Sequence, residues 1–124
     1  MLNKFMVTGL AVFAVFTSLS VQANSYNKGL LAAESGDYKS AMKSWGPAAE
    51  KGDAAAQFNL ATLYHSGLGL PQSEVEAVKW YIKSAENGYS IAQEYLAAAY
   101  REGWFGLSKD VKKAEYWENK LAKQ

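Results

Sequence analysis

Laid over itself with a shift of about thirty-six residues, the chain meets its own pattern again. Ala56-Gln57-Phe58-Asn59-Leu60-Ala61-Thr62-Leu63-Tyr64-His65-Ser66-Gly67 matches Ala92-Gln93-Glu94-Tyr95-Leu96-Ala97-Ala98-Ala99-Tyr100-Arg101-Glu102-Gly103 at its alanines, leucine, tyrosine and closing glycine. A period of this length marks stacked supersecondary units, none of which buries its apolar face alone. Within a unit the apolar residues recur at helical spacing, as in Ala56, Leu60, Leu63 and Tyr64, and again in Ala77, Trp80, Tyr81 and Ala85. The expected fold is all-α, two helices to a unit. Arrays of this kind seldom do chemistry, and their curved faces hold partners.

The breaks between helices are legible. Gly67-Leu68-Gly69-Leu70-Pro71 ends one helix, because glycine takes the left-handed geometry and proline has no N–H to continue. Ser73-Glu74-Val75-Glu76 restarts the chain as a capping box, with Ser73 as N-cap and Glu76 reaching back. Asp37, Asp53 and Asp110 stand where further N-caps are wanted. The resulting hairpins pair Ser25 to Ser35 with Asp37 to Lys51, Asp53 to Ser66 with Ser73 to Asn87, and Ser90 to Glu102 with Asp110 to Lys123. Ala56, Ala61, Ala77, Ala85, Ala92, Ala97 and Ala114 let helices approach closely. Trp45, Tyr64, Trp80, Tyr81, Tyr95, Tyr100, Tyr116 and Trp117 are expected to fill the core between them, each truncation to alanine costing roughly 3–5 kcal/mol.

Residues 1–23 read as an address. Lys4 precedes the apolar run Phe5 to Phe16, and the small-x-small exit Val21-Gln22-Ala23 predicts a signal peptide cleaved after Ala23. A membrane anchor needs roughly twenty continuous apolar residues, and this run fades at Thr17-Ser18. With no cysteine, a lipid-modified leader is excluded, and so are disulfides in the exported chain. The chain carries 13 Lys and Arg against 12 Asp and Glu, so loss of Lys4 leaves it formally neutral, with no basic block. Nucleic acid and anionic membrane are poor partners for such a surface. Residues 24–124 suit one domain, periplasmic or secreted, that buries somewhat over ~60% of its unfolded surface.

Ala77-Val78-Lys79-Trp80-Tyr81-Ile82-Lys83-Ser84-Ala85-Glu86-Asn87-Gly88, preceded by Ala56-Gln57-x-x-Leu60-x-x-Leu63-Tyr64-x-x-Gly67-x-Gly69, closely resembles the Sel-one-like repeat of the tetratricopeptide class. Lys113-Ala114-Glu115-Tyr116-Trp117 and Trp45-Gly46-Pro47-Ala48-Ala49-Glu50-Lys51-Gly52 extend the likeness to units of about 25–52, 53–88 and 89–124. The resemblance implies a right-handed superhelical α/α repeat solenoid of about three helical hairpins, working as an exported bacterial scaffold or adaptor for a protein or peptide. Some cysteine-rich relatives are credited with binding or hydrolysing β-lactams. This chain lacks the cross-linking cysteines, so a cell-wall-fragment or β-lactam binder or hydrolase is the secondary expectation only.

Three departures from the pattern stand out. Pro47 falls inside a helix, where proline costs about 3 kcal/mol, and predicts a kink or restart. The turn Gly103-Trp104-Phe105-Gly106-Leu107-Ser108-Lys109 is one residue longer than its counterpart. No extra polar helix follows Asp110 to Lys123, which predicts an incompletely covered side near Tyr116, Trp117 and Leu121 and weak self-association through it.

Catalytic machinery is not expected. His65 is the lone histidine, at a helix end, with no cysteine or carboxylate cluster at metal-ligand spacing. A surface histidine there is favoured by the helix dipole when protonated. No serine sits in a nucleophile elbow, and Gly67-x-Gly69 follows no strand that would make it a phosphate loop. No catalytic residue, cofactor or metal is therefore assigned, and no stable membrane insertion after cleavage. The first helices of successive hairpins should line a groove, making Gln57, Asn59, Thr62 and His65, with Glu94, Ala98, Arg101 and Glu102, the candidate contacts for a protein partner. Trp104 and Phe105 form a second candidate, either as an exposed anchor or folded back over the end of the array.

Overall fold

The computed structural model describes residues 24–124, so the expected leader and its cleavage site lie outside the described residues. Helix α1 covers 24–34. It is followed by α2 (Tyr38–Glu50), α3 (Ala54–Ser66), α4 (Glu74–Glu86), α5 (Ser90–Glu102) and α6 (Val111–Leu121), with no strand among the described residues. Helices consecutive in sequence pack side by side from α2 to α6, which makes the molecule an α/α repeat solenoid.

Four starts are capped by side chains. Asp37, Asp53, Ser73 and Asp110 accept from the backbone N–H of Ser40, Ala56, Glu76 and Lys113 at 3.1, 3.0, 3.2 and 3.1 Å. Ser40 Oγ also donates to Asp37, and these hydrogen bonds hold the Asp37 carboxyl below its ordinary range. The reciprocal half of the predicted capping box is absent. Ser73 N–H donates to the Tyr64 carbonyl at 2.9 Å instead, which frees Glu76 to pair with Lys79 at 2.7 Å.

Pro47 neither breaks nor restarts α2, which runs unbroken from Tyr38 to Glu50. Its ring is exposed and so is Lys43, whose carbonyl loses an intrahelical donor at this proline. The cost falls on the wet side of the helix, where water substitutes.

Two apolar clusters make the core. One gathers Ala41, Trp45, Ala48, Ala49, Ala56, Leu60 and Leu63; the other gathers Ala61, Ala77, Tyr81, Ala85, Ala92, Leu96, Ala97, Tyr100, Ala114 and Trp117. Tyr64 and Trp80 pack against both and join them. All seven of the repeated alanines are buried, but Tyr95 and Tyr116, expected in the core, are exposed. On α6 only Ala114 and Trp117 are buried: Trp117, expected at an uncovered edge, is in the core, whereas Val111 and Tyr116 are exposed, so the side of the helix near Tyr116 is incompletely covered as expected.

Backbone approach is closest at Gly69, where φ is 78° and an added Cβ would stand 2.8 Å from the Tyr38 carbonyl carbon. This contact seats the α3–α4 turn on the start of α2. Polar staples complete the stacking. Gln57 Nε2 donates to the Ala49 carbonyl at 2.9 Å, and Gln57 Oε1 accepts from Asn87 Nδ2 at 3.0 Å. Thirty-six residues on, Gln93 Nε2 donates to the Ala85 carbonyl at 3.0 Å and its oxygen accepts from Gln124 at 2.9 Å. Each glutamine therefore ties the end of the preceding hairpin to the end of its own.

Candidate functional site

The predicted contact residues separate in the structure. Gln57 leaves the set: it is 3% exposed, and its amide is spent on the staple just described. Arg101 is exposed but committed, its guanidinium held by Glu118 on α6 at 2.6 and 3.2 Å. That carboxylate raises the Arg101 pKa further. Thr62 Oγ1 donates to the Asn59 carbonyl at 2.7 Å, inside its own helix. Asn59 is half-buried, with Nδ2 out of water and without a partner among the described residues. Glu94, Glu102 and Trp104 are exposed, and Ala98 is half-buried.

His65 is not the plain surface histidine expected. It is half-buried, its ring meets Phe105 edge-on at 4.9 Å, and Nδ1 is buried without a hydrogen bond. Phe105 likewise does neither of the things expected of it. It turns inward from the α5–α6 loop and lies between His65, Tyr81 at 5.6 Å and Tyr95 at 6.2 Å, stacked on the last at 12°.

The extra residue of that loop explains the placement. Asp110 N–H donates to the Tyr100 carbonyl at 2.7 Å just as Ser73 N–H donates to Tyr64, so both ends of the turn are anchored as in the preceding unit. The surplus residue must bulge. Leu107 N–H closes on the Trp104 carbonyl at 3.0 Å, with φ of 57° at Phe105 and 71° at Gly106, the paired positive values of a type I′ turn. A left-handed conformation costs a side-chain-bearing residue roughly 1–2 kcal/mol. Ring contacts worth about 0.5–1.5 kcal/mol each offset it.

Phe105 thereby joins the two surfaces that the sequence suggested separately. The rings continue through Tyr81 and Tyr95, 5.4 Å apart, to Phe58, which is 5.3 Å from Tyr81, 5.5 Å from Tyr95 and 5.3 Å from Tyr89. Trp104, 48% exposed, extends the row outward at 6.4 Å from Phe105. Burial, with Tyr95 beside it, pushes the Tyr81 phenol far above its ordinary range, so this ring is uncharged in the floor of the row. Burial, then Tyr26 and Asp53, also raise Tyr89. On α5 the exposed stripe reads Ile91, Glu94, Tyr95, Ala98, Arg101, Glu102, one helical face.

Phe58, Tyr89 and Ile91 were not singled out from the sequence. The signal that could have found them is dissimilarity at equivalent positions: Phe58 stands where the next unit has Glu94, Asn59 where it has Tyr95, and Asp53 where it has Tyr89. Tyr89 begins α5 without a side-chain cap, whereas Asp53 supplies one to α3. Residues that recur serve the stacking; those that differ make this face.

A shallow depression of about 480 Å³ on α6, lined by Tyr116, Asn119, Lys120 and Lys123, shares no residue with the aromatic row. Among the described residues no three His, Asp or Glu side chains gather where they could hold a metal ion, and no helix is long and apolar enough to cross a membrane.

Comparison with known proteins places this architecture. Residues 54–89 and 90–124 each match the family model described as Sel1 repeat. A Sel1 repeat protein from Oxalobacter formigenes superposes with a TM-score of 0.74 at 34% identity over 82% of this chain and 43% of that one. A protective antigen of uropathogenic Escherichia coli strains, with an SLR fold, gives 0.73 at 34% identity over 83% of this chain and 23% of its own. The DAP3-binding cell death enhancer 1 of Rattus norvegicus is 43% identical over 60 residues, 48% of this chain and 12% of that protein. The chain thus spans less than half the length of each of these relatives.

Proposed function

The chain belongs to the Sel1 repeat family, and from that premise we propose that it is an exported, non-enzymatic scaffold that docks a protein partner on the aromatic face shared by α3, α5 and the Trp104–Leu107 turn. Proteins built from Sel1 repeats generally mediate protein–protein interactions. One relative is named for what it binds.

The observation that carries the choice of face is the exposed aromatic row. Trp104 and Tyr95 keep large apolar areas in water although Phe105, Tyr81 and Phe58 form a packed floor beneath them. Rigid aromatic side chains on a supported floor are the usual anchors of an interface, because their ordering on binding costs little. Export is supported by the leader-like pattern of residues 1–23 alone.

The test is capture of the tagged full chain from its own host cells after in-cell cross-linking, beside a Trp104→Ala/Tyr95→Ala form. The reading expects at least one cross-linked protein to be lost from the variant. An identical set of captured proteins from both forms refutes the face. Amino-terminal sequencing of the chain from the exported fraction should begin at Asn24, and an intact Met1 terminus there refutes cleavage.

A further inference from the structure

Charge distinguishes the aromatic face within a chain that is nearly balanced as a whole. The α3 side contributes Phe58, Asn59, Thr62 and His65, with no formal charge when His65 is neutral. The α5 stripe carries Glu94, Arg101 and Glu102, and Arg101 is already neutralised by Glu118. Among the described residues the ion pairs are Arg101 with Glu118 and Lys79 with Glu76, so neither Glu94 nor Glu102, on either side of Tyr95 and Ala98, is in an ion pair, although the charge of Glu102 is felt by the neighbouring Arg101. Ala98 leaves the middle of the stripe low, and Tyr95 and Trp104 are exposed.

Resting on the docking face proposed above, we infer that the partner presents an extended basic segment, with Lys or Arg at positions i and i+4 reaching Glu94 and Glu102 and an apolar residue at i+2 seated over Ala98 beside Tyr95. The spacing follows from geometry. Eight helical residues separate the two carboxylates, about 12 Å along the axis. Four residues of extended chain cover about 13 Å, and their even number returns the side chain to the same side. The residue midway also points down, onto Ala98 with the Tyr95 ring beside it.

The probe is a fluorescein-labelled peptide Gly-Ser-Lys-Ser-Leu-Ser-Lys-Ser-Gly, titrated into the full chain and read by anisotropy. Two companions replace both lysines by glutamine, or move the second lysine one place on so that the two point to opposite sides. The basic peptide is expected to bind more tightly than either companion and to weaken as salt rises. Glu94→Gln/Glu102→Gln, two exposed isosteric changes, should lower its affinity about three- to tenfold with the circular dichroism spectrum unchanged. Absence of binding, equal affinity for the glutamine peptide, or undiminished affinity in the double variant each overturns the inference. If the natural cross-linked partner is lost with Trp104→Ala but kept in full by Glu94→Gln/Glu102→Gln, the docking face stands and the basic segment is wrong.

Discussion

The substitution Gln57→Glu changes one amide nitrogen to oxygen and tests whether this side chain is a staple or a groove contact. The native amide is 3% exposed, donates to the Ala49 carbonyl at 2.9 Å and accepts from Asn87 at 3.0 Å. A protonated carboxyl at this position reproduces both bonds, with its O–H in place of the N–H. An ionised one points a second oxygen at the Ala49 carbonyl and loses its water. Burial and that repulsion raise the folded pKa of the new carboxyl above its unfolded value of about 4.3. The folded variant therefore binds a proton more tightly than the unfolded chain. The penalty is nearly absent below about pH 4, grows as pH rises through the unfolded pKa, and levels off above the folded one. A rise of about two pH units, modest for such burial, costs about 3 kcal/mol at neutral pH. That lowers the melting temperature by roughly 12–24 °C in a domain of this size. Thermal melts followed by helical circular dichroism, variant against wild type, should nearly coincide at about pH 4 and separate by that amount at neutral pH. Curves equally close at both pH values would mean that the side chain is solvated, and the staple would be refuted.

Four further outcomes follow from local geometry. Pro47→Ala should stabilise the protein by about 1–2 kcal/mol, since the helix is continuous there and regains a donor for the Lys43 carbonyl; a lower denaturant midpoint would contradict this. Gly69→Ala meets both a φ of 78° and the Tyr38 backbone, so a loss above ~1 kcal/mol is expected, against none if the α3–α4 turn does not rest on α2. Asp53→Ala removes the α3 cap and should cost about 1 kcal/mol, measured by urea unfolding, with no change meaning that the cap is not formed in solution. Arg101→Ala breaks a pair exposed on both sides and should leave the melting temperature close to wild type at moderate salt; a large drop would show that the pair holds α5 to α6.

Much of the fold is legible in the sequence because the repeat sets helix length, turn position and small buried residues together. The N-caps at Asp37, Asp53, Ser73 and Asp110 are where the local pattern places them. Long-range destinations are less legible. Gln57 is polar and sits in the first helix of a hairpin, so it reads as surface until the carbonyl of Ala49 in the preceding hairpin is seen to lie within reach. Its recurrence as Gln93 is the clue to the staple, because a residue kept at the same register in two units answers to the stacking they share. Pro47 misleads because the cost of an interior proline depends on which side its orphan carbonyl faces. The inward course of Phe105 depends on the anchoring of its own loop, Asp110 N–H on the Tyr100 carbonyl and Leu107 N–H on that of Trp104, which no local pattern reveals.

Photocross-linking inside living host cells puts the central claim to its most immediate trial. A benzoylphenylalanine at position 95, on the ring-lined stripe of α5, should yield a discrete adduct with a second protein. The same group at position 43, an exposed lysine on α2, which contributes nothing to that face, should yield none. An adduct from position 43 with nothing from position 95 would contradict the assignment of the face.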